Sequence, residues 1–123
     1  MEQNKTFIHE YFRAFSGQPK TADLIERFVA DPALAEHIAA IEAAFPRYEL
    51  DLQDMVAEAD RVAVRAQFRG THTGPFAGID PTGATVTAGL IIIYRIEEGR
   101  VAEHWMQFDR MDLMAQLHAA GAK

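Results

Sequence analysis

Apolar positions recur through the first third of the chain at the three- and four-residue spacing of helices, and thereafter at the two-residue spacing of strands. Phe7, Ile8, Tyr11, Phe12 and Phe15 form one wide stripe, which predicts a helix over 3–16 stopped by Gly17-Gln18-Pro19. Thr21 is placed to cap a short second helix carrying Leu24, Ile25, Phe28 and Val29. Asp31-Pro32 starts a third, with an acid at the cap and proline at the first helical position. Its stripe is Leu34, Ile38, Ile41 and Phe45, and Pro46 closes it. His37 falls inside that stripe.

From Tyr48 onward the pattern is that of strands. Tyr48–Glu58 and Arg61–Arg69 meet across a turn at Ala59-Asp60. Residues 70–83 hold four glycines and two prolines, which forbids a regular element and suggests a pocket lid. Thr85–Ile96 is the next strand, and Glu97-Glu98-Gly99-Arg100 supplies a turn in which Gly99 is free to take positive φ. Val101–Phe108 returns and ends on Asp109. A short helix follows from Arg110 to about Ala119, with Met111, Met114 and Leu117 expected to face inward. Three helices, four strands in hairpins and a closing helix make an α+β fold with an antiparallel sheet, in one domain over residues 1–123.

The last hairpin organises the rest. Pairing Glu97 with Arg100 and counting back sets Trp105 opposite Ile92, Gln107 opposite Leu90 and Asp109 opposite Ala88. Trp105, Gln107 and Asp109 then share the face that looks into the core. Ile91, Ile93, Ala102, His104, Met106 and Phe108 take the other, where His104 is interface or surface unless a bulge reverses it. Both faces are largely apolar, so the sheet is expected to be covered on both sides. A homodimer packed through the face bearing Ile93, His104 and Met106 would do this.

Composition narrows the chemistry. The net charge of −6 argues against nucleic acid or an anionic membrane as partner. With no cysteine there is no disulfide, thiolate nucleophile or cysteine metal site, and a cytoplasmic location is expected. The longest apolar run, Ala88–Tyr94, is too short to span a bilayer. The five histidines show no paired ligand spacing, so no metal is expected. His72, on the loop, is expected to be exposed. The glycines of 70–83 precede a strand rather than a helix, so neither a phosphate loop nor a dinucleotide fingerprint is present and no cofactor is expected.

The loop Arg69-Gly-Thr-His-Thr-Gly-Pro-Phe-Ala-Gly-Ile-Asp-Pro-Thr-Gly83 is similar to that of the SnoaL-like polyketide cyclases. So is Tyr94-Arg-Ile-Glu-Glu-Gly-Arg-Val-Ala-Glu-His-Trp105, followed by Asp109 and by Leu113-Met-Ala-Gln-Leu117. The resemblance implies a cone-shaped fold like nuclear transport factor 2 and ketosteroid isomerase. In such a fold a curved antiparallel sheet is wrapped by N-terminal helices around a central pocket, and pairs of chains meet through the back of the sheet. It also implies that Asp109 matches the aspartate that acts as general base in an intramolecular aldol ring closure, and that His37 matches a pocket histidine. Arg110-Met111-Asp112 departs from the Leu-Gly or Glu-Leu-Gly of many members.

The candidate catalytic residues are therefore Asp109 and His37. Asp109 would remove a proton beside a carbonyl, and His37, helped by Gln107, would steady the enolate. Asp109 has a plainer role open to it, as cap of the last helix. Phe12, Ile41, Phe45, Leu90 and Trp105 would form an apolar cup for a small hydrophobic molecule. Two other readings fit the same fold: a non-catalytic binder of small molecules, and water addition of the epoxide-hydrolase kind, for which no Asp-Arg-Asp relay can be assembled.

Overall fold

The computed structural model describes residues 2–121. Helix α1 spans Glu2–Phe15, α2 Ala22–Phe28 and α3 Pro32–Ala44. Strands β1 Glu49–Glu58, β2 Arg61–Thr71, β3 Thr85–Glu97 and β4 Arg100–Phe108 follow, and α4 Arg110–Gly121 ends the described chain. The four strands form one antiparallel sheet in the order β1-β2-β3-β4. The architecture is thus the expected α+β arrangement, with boundaries within a few residues of those read from the pattern.

Local chemistry explains the elements. The Thr21 hydroxyl accepts from the Leu24 amide at 3.2 Å, and the Asp31 carboxylate accepts from Ala33 at 2.9 Å and Leu34 at 3.4 Å. The tight turn between β3 and β4 has both central residues at positive φ, Glu98 at 51° and Gly99 at 74°. Strand β2 alternates strictly, burying Val62, Val64, Ala66 and Phe68. These meet Val86, Ala88, Leu90, Ile92 and Tyr94 of β3 on the inner face. Tyr11, Phe15 and Phe28 stack with one another and, through Tyr11, with Tyr94. That aromatic cluster ties the helices to the sheet.

Pairing in the last hairpin departs from direct counting. Glu97 faces Arg100 and Ile96 faces Val101, but Arg95 faces Glu103, so Ala102 is an extra residue in β4. This bulge reverses every side chain beyond it. Ile93 faces Trp105, Ile92 faces Met106 and Leu90 faces Phe108. Trp105 and Gln107 therefore lie on the outer face of the sheet, and His104, Met106 and Phe108 on the inner one. The face proposed for pairing between chains loses His104 and Met106 by the same step.

Two further expectations are corrected. Met111 is 85% exposed, and Leu113 with Leu117 forms the buried edge of α4. Met111 lies two positions, about 200° of turn, from Leu113 and so looks outward. His72 is fully buried rather than exposed. Its backbone pairs with Ala84 and Gly83 across the loop, and its ring Nδ1 accepts from the Thr82 amide at 3.2 Å. The loop is held down at its start as well, where Thr73 and Gly74 donate to the Ala44 carbonyl at 3.1 Å. A Cβ at Gly74 would collide with the Ala43 carbonyl oxygen, so glycine is what allows this approach.

Candidate active site

The helices and the inner face of the sheet enclose a narrow cavity of about 40 Å³. Fourteen residues line it, and ten of them are apolar. The other four are three tyrosines, Tyr11, Tyr48 and Tyr94, and one imidazole, His37. The cavity is smaller than any polyketide-sized molecule, so a ligand must displace side chains to enter. His37, Leu50, Met106 and Phe108 are the half-exposed members of the lining and form its mouth.

The three phenols arise from three different elements. Tyr11 is on the α1 stripe, Tyr48 precedes β1, and Tyr94 is an inner-face residue of β3. Burial pushes each hydroxyl above its ordinary range. A charge on Tyr11 would also repel one on Tyr48, and one on Tyr48 would repel one on Tyr94, so the hydroxyls lie near one another. All three are neutral O–H groups at physiological pH, able to donate to a carbonyl or an enolate.

His37 reaches the cavity from the middle of α3. Burial, and then the neighbouring His104, pull its pKa below the usual imidazole value. It is therefore neutral at neutral pH, with one ring nitrogen free to accept a proton.

Beside it the bulged strand delivers His104. The Val101 carbonyl accepts from the Ala30 and Asp31 amides at 2.8 and 3.1 Å, which docks the α2–α3 junction onto the start of β4. Asp31 thereby meets His104, whose Nδ1 lies 2.7 Å from its Oδ2. Both side chains are largely buried. The pairing gives Asp31 two roles: Oδ1 caps α3 and Oδ2 holds the imidazole. Burial alone would raise the Asp31 pKa, but the hydrogen bonds from His104, Leu34 and Ala33 outweigh it and hold the carboxyl below its ordinary value.

The remaining candidates divide by position. Ile41 and Leu90 line the cavity as expected. Phe12 and Phe45 are buried one layer behind it, Phe12 against Tyr94 and Phe45 against Phe68. Trp105 is 44% exposed on the outer face, with the Arg61 guanidinium 4.9 Å from its ring centroid. Gln107 and Asp109 border an open groove on that outer face, next to Arg65 and Gly89. Asp109 is exposed and caps α4, its Oδ1 accepting from the Asp112 amide at 3.1 Å. Sequence reasoning missed the Asp31–His104 pair and the phenols. A shift of apolar phase between Val101 and Met106 was the one available sign that β4 carries a bulge.

Among the described residues no three His, Asp or Glu side chains gather as metal ligands. No described helix is long and apolar enough to cross a membrane.

Comparison with known proteins gives a consistent picture. The family model of the SnoaL-like polyketide cyclases matches residues 22–117. AclR of Streptomyces galilaeus, a candidate hydroxylase, is 27% identical, with 97% of this chain and 83% of that one covered at a TM-score of 0.82. TsrD of Streptomyces laurentii is also 27% identical, with 94% of each chain covered and a TM-score of 0.75. IdmH of Streptomyces antibioticus, a candidate polyketide cyclase, shares the fold at 24% identity, covering 94% of this chain and 99% of its own, with a TM-score of 0.76. No curated protein matches this chain in sequence.

Proposed function

The chain belongs to the SnoaL-like polyketide cyclase family, and from that premise we propose that it catalyses cofactor-independent proton abstraction and aldol-type ring closure on a small hydrophobic carbonyl compound. The observation that carries this reading is the composition of the cavity wall: one neutral imidazole and three neutral phenols in an otherwise apolar lining. Abstraction of a proton beside a carbonyl needs a placed base, donors for the developing enolate and exclusion of water.

In this proposal the base is His37. It takes the proton from a carbon flanked by two carbonyls. The enolate oxygen is held by phenol O–H groups, and the carbon attacks a third carbonyl, further along the same molecule. The new alkoxide takes that proton back from the His37 imidazolium, which restores the neutral base. His104, fixed by Asp31, is a positioning residue that keeps the α3 start and β4 in register around His37. Asp109, which caps α4 away from the cavity, is assigned no chemical step. The apolar lining selects a flat, weakly polar substrate.

The test is conversion of a panel of polyketide-like 1,3-diketones and Δ5-3-ketosteroids, followed by NMR in deuterated water. Wild type should exchange or cyclise at least one member, and His37→Gln should lose that activity while keeping its circular dichroism spectrum. The predominantly apolar cavity wall also fits a second reading, a non-catalytic binder. Tight binding by wild type without exchange or conversion of any member would establish it.

A further inference from the structure

Lys20 lies in the link between α1 and α2, and its side chain is completely buried. A buried lysine needs its three N–H groups satisfied. Nζ donates to the Gln18 carbonyl at 2.9 Å and to the Tyr48 carbonyl at 2.6 Å, and it lies 3.6 Å from a Glu42 carboxylate oxygen. It also sits 3.9 Å from the centroid of the Tyr48 ring, over its face. The same Tyr48 carbonyl accepts from the Gly17 amide at 3.0 Å. The ammonium therefore holds both the backbone and the ring of one residue, and that residue is one of the three phenols on the cavity wall.

We infer that Lys20 is a positioning residue for the Tyr48 phenol, fixing the angle of its ring and polarising its O–H toward an oxygen bound in the cavity. The inference deepens the proposed function and rests on it for the role of that oxygen. A cation over a ring face draws electron density toward itself, which makes the phenol a stronger donor. The effect is stronger here than at an exposed site because both groups are withdrawn from water.

The cost of the arrangement points the same way. Burial pulls the Lys20 pKa down to about 8, against the attraction of Glu42 and Glu49. A group with a lowered pKa destabilises the fold when protonated, and below about pH 8 Lys20 is protonated. A neutral donor could tie the Gln18 and Tyr48 carbonyls, whereas a cation beside Glu42 and over the ring also acts on the phenol.

The experiment labels the tyrosines with carbon-13 at Cζ and follows them by NMR from pH 6.5 to 9.5. Tyr48→Phe assigns the Tyr48 signal. In wild type that signal should move with a midpoint near pH 8 as Lys20 loses its proton. Lys20→Met should abolish the step, and Lys20→Arg should keep the low-pH shift without the step. A Tyr48 signal that shows no step in wild type, or keeps it in Lys20→Met, overturns the inference. If Lys20→Met does not fold, Lys20→Arg decides alone, because a step that persists in it cannot come from Lys20. On any substrate that wild type converts, Lys20→Met should lower kcat about tenfold with KM nearly unchanged, and Lys20→Arg should restore part of it. The NMR readout needs no substrate, so failure of the cyclase reading and failure of the Lys20 inference are separate results.

Discussion

Asp31 uses its two carboxylate oxygens for two purposes, and this makes it more costly to replace than an ordinary cap. Asp31→Ala should destabilise the fold by about 2 kcal/mol, more than the typical 1 kcal/mol of a cap, because His104 also loses a buried partner. Asp31→Asn should keep most of the capping and lose the carboxylate charge that faces the His104 ring. Chemical denaturation of the two variants separates these contributions. The Asp31 pKa is lower in the folded chain than in the unfolded one. Its contribution is thus complete above about pH 4 and is lost as the pH falls through the folded value. His37 is also shifted downward, from the imidazole range. The stability linked to it is full above about pH 6.5 and declines as the pH falls below that. His37→Leu should therefore melt at or above the wild-type temperature at pH 5.5, and its melting temperature should fall less between pH 7 and 5.5. A variant that melts lower at both pH values would make His37 a structural residue instead.

Among the elements, the helices were legible because capping residues and apolar stripes are local signals. Thr21 and Asp31-Pro32 mark two helix starts to the residue. Strand β4 was legible as a strand but not in its facing. One small residue, Ala102, is bulged out, and no turn or charge pattern announces it. Since side chains alternate with a period of two, that single residue moves Trp105, Gln107 and Asp109 out and His104 in. The Asp31–His104 contact joins positions 73 residues apart and leaves no local pattern at all. Inserting one alanine after Glu103 would shift the rest of β4 by one position and turn Trp105 inward, opposite Ile92 and beside Tyr94. Loss of cooperative thermal unfolding is the expected result, and an unchanged melting curve would show that the facing set by the bulge is dispensable. The loop after β2 makes a similar demand at Gly74. Gly74→Ala should cost about 1–3 kcal/mol by denaturation, because the Ala43 carbonyl leaves no space for a methyl group.

At the scale of the whole molecule, the fold buries one face of its sheet and leaves the other partly uncovered. Val56, Ile91, Ile93 and Trp105 are exposed there, at 64, 54, 37 and 44%. We expect two copies of the chain to pack through this face, with Ile91, Ile93 and Trp105 in place of the His104 and Met106 first assigned to it. Light scattering at micromolar concentration should give a dimer, and Trp105→Glu should give a monomer. A wild-type monomer would leave the apolar face to another partner.

In the proposed mechanism proton transfer belongs to the inner face of the sheet rather than to its end. The most direct measurement compares His37→Gln and Asp109→Asn on one substrate converted by wild type, with both variants confirmed as folded. His37→Gln should lose on the order of 10²–10⁴-fold in kcat, the usual loss for a general base, and Asp109→Asn should stay within a few-fold of wild type. The reverse outcome, full activity in His37→Gln and its loss in Asp109→Asn, would return the base to the end of β4 and contradict the account.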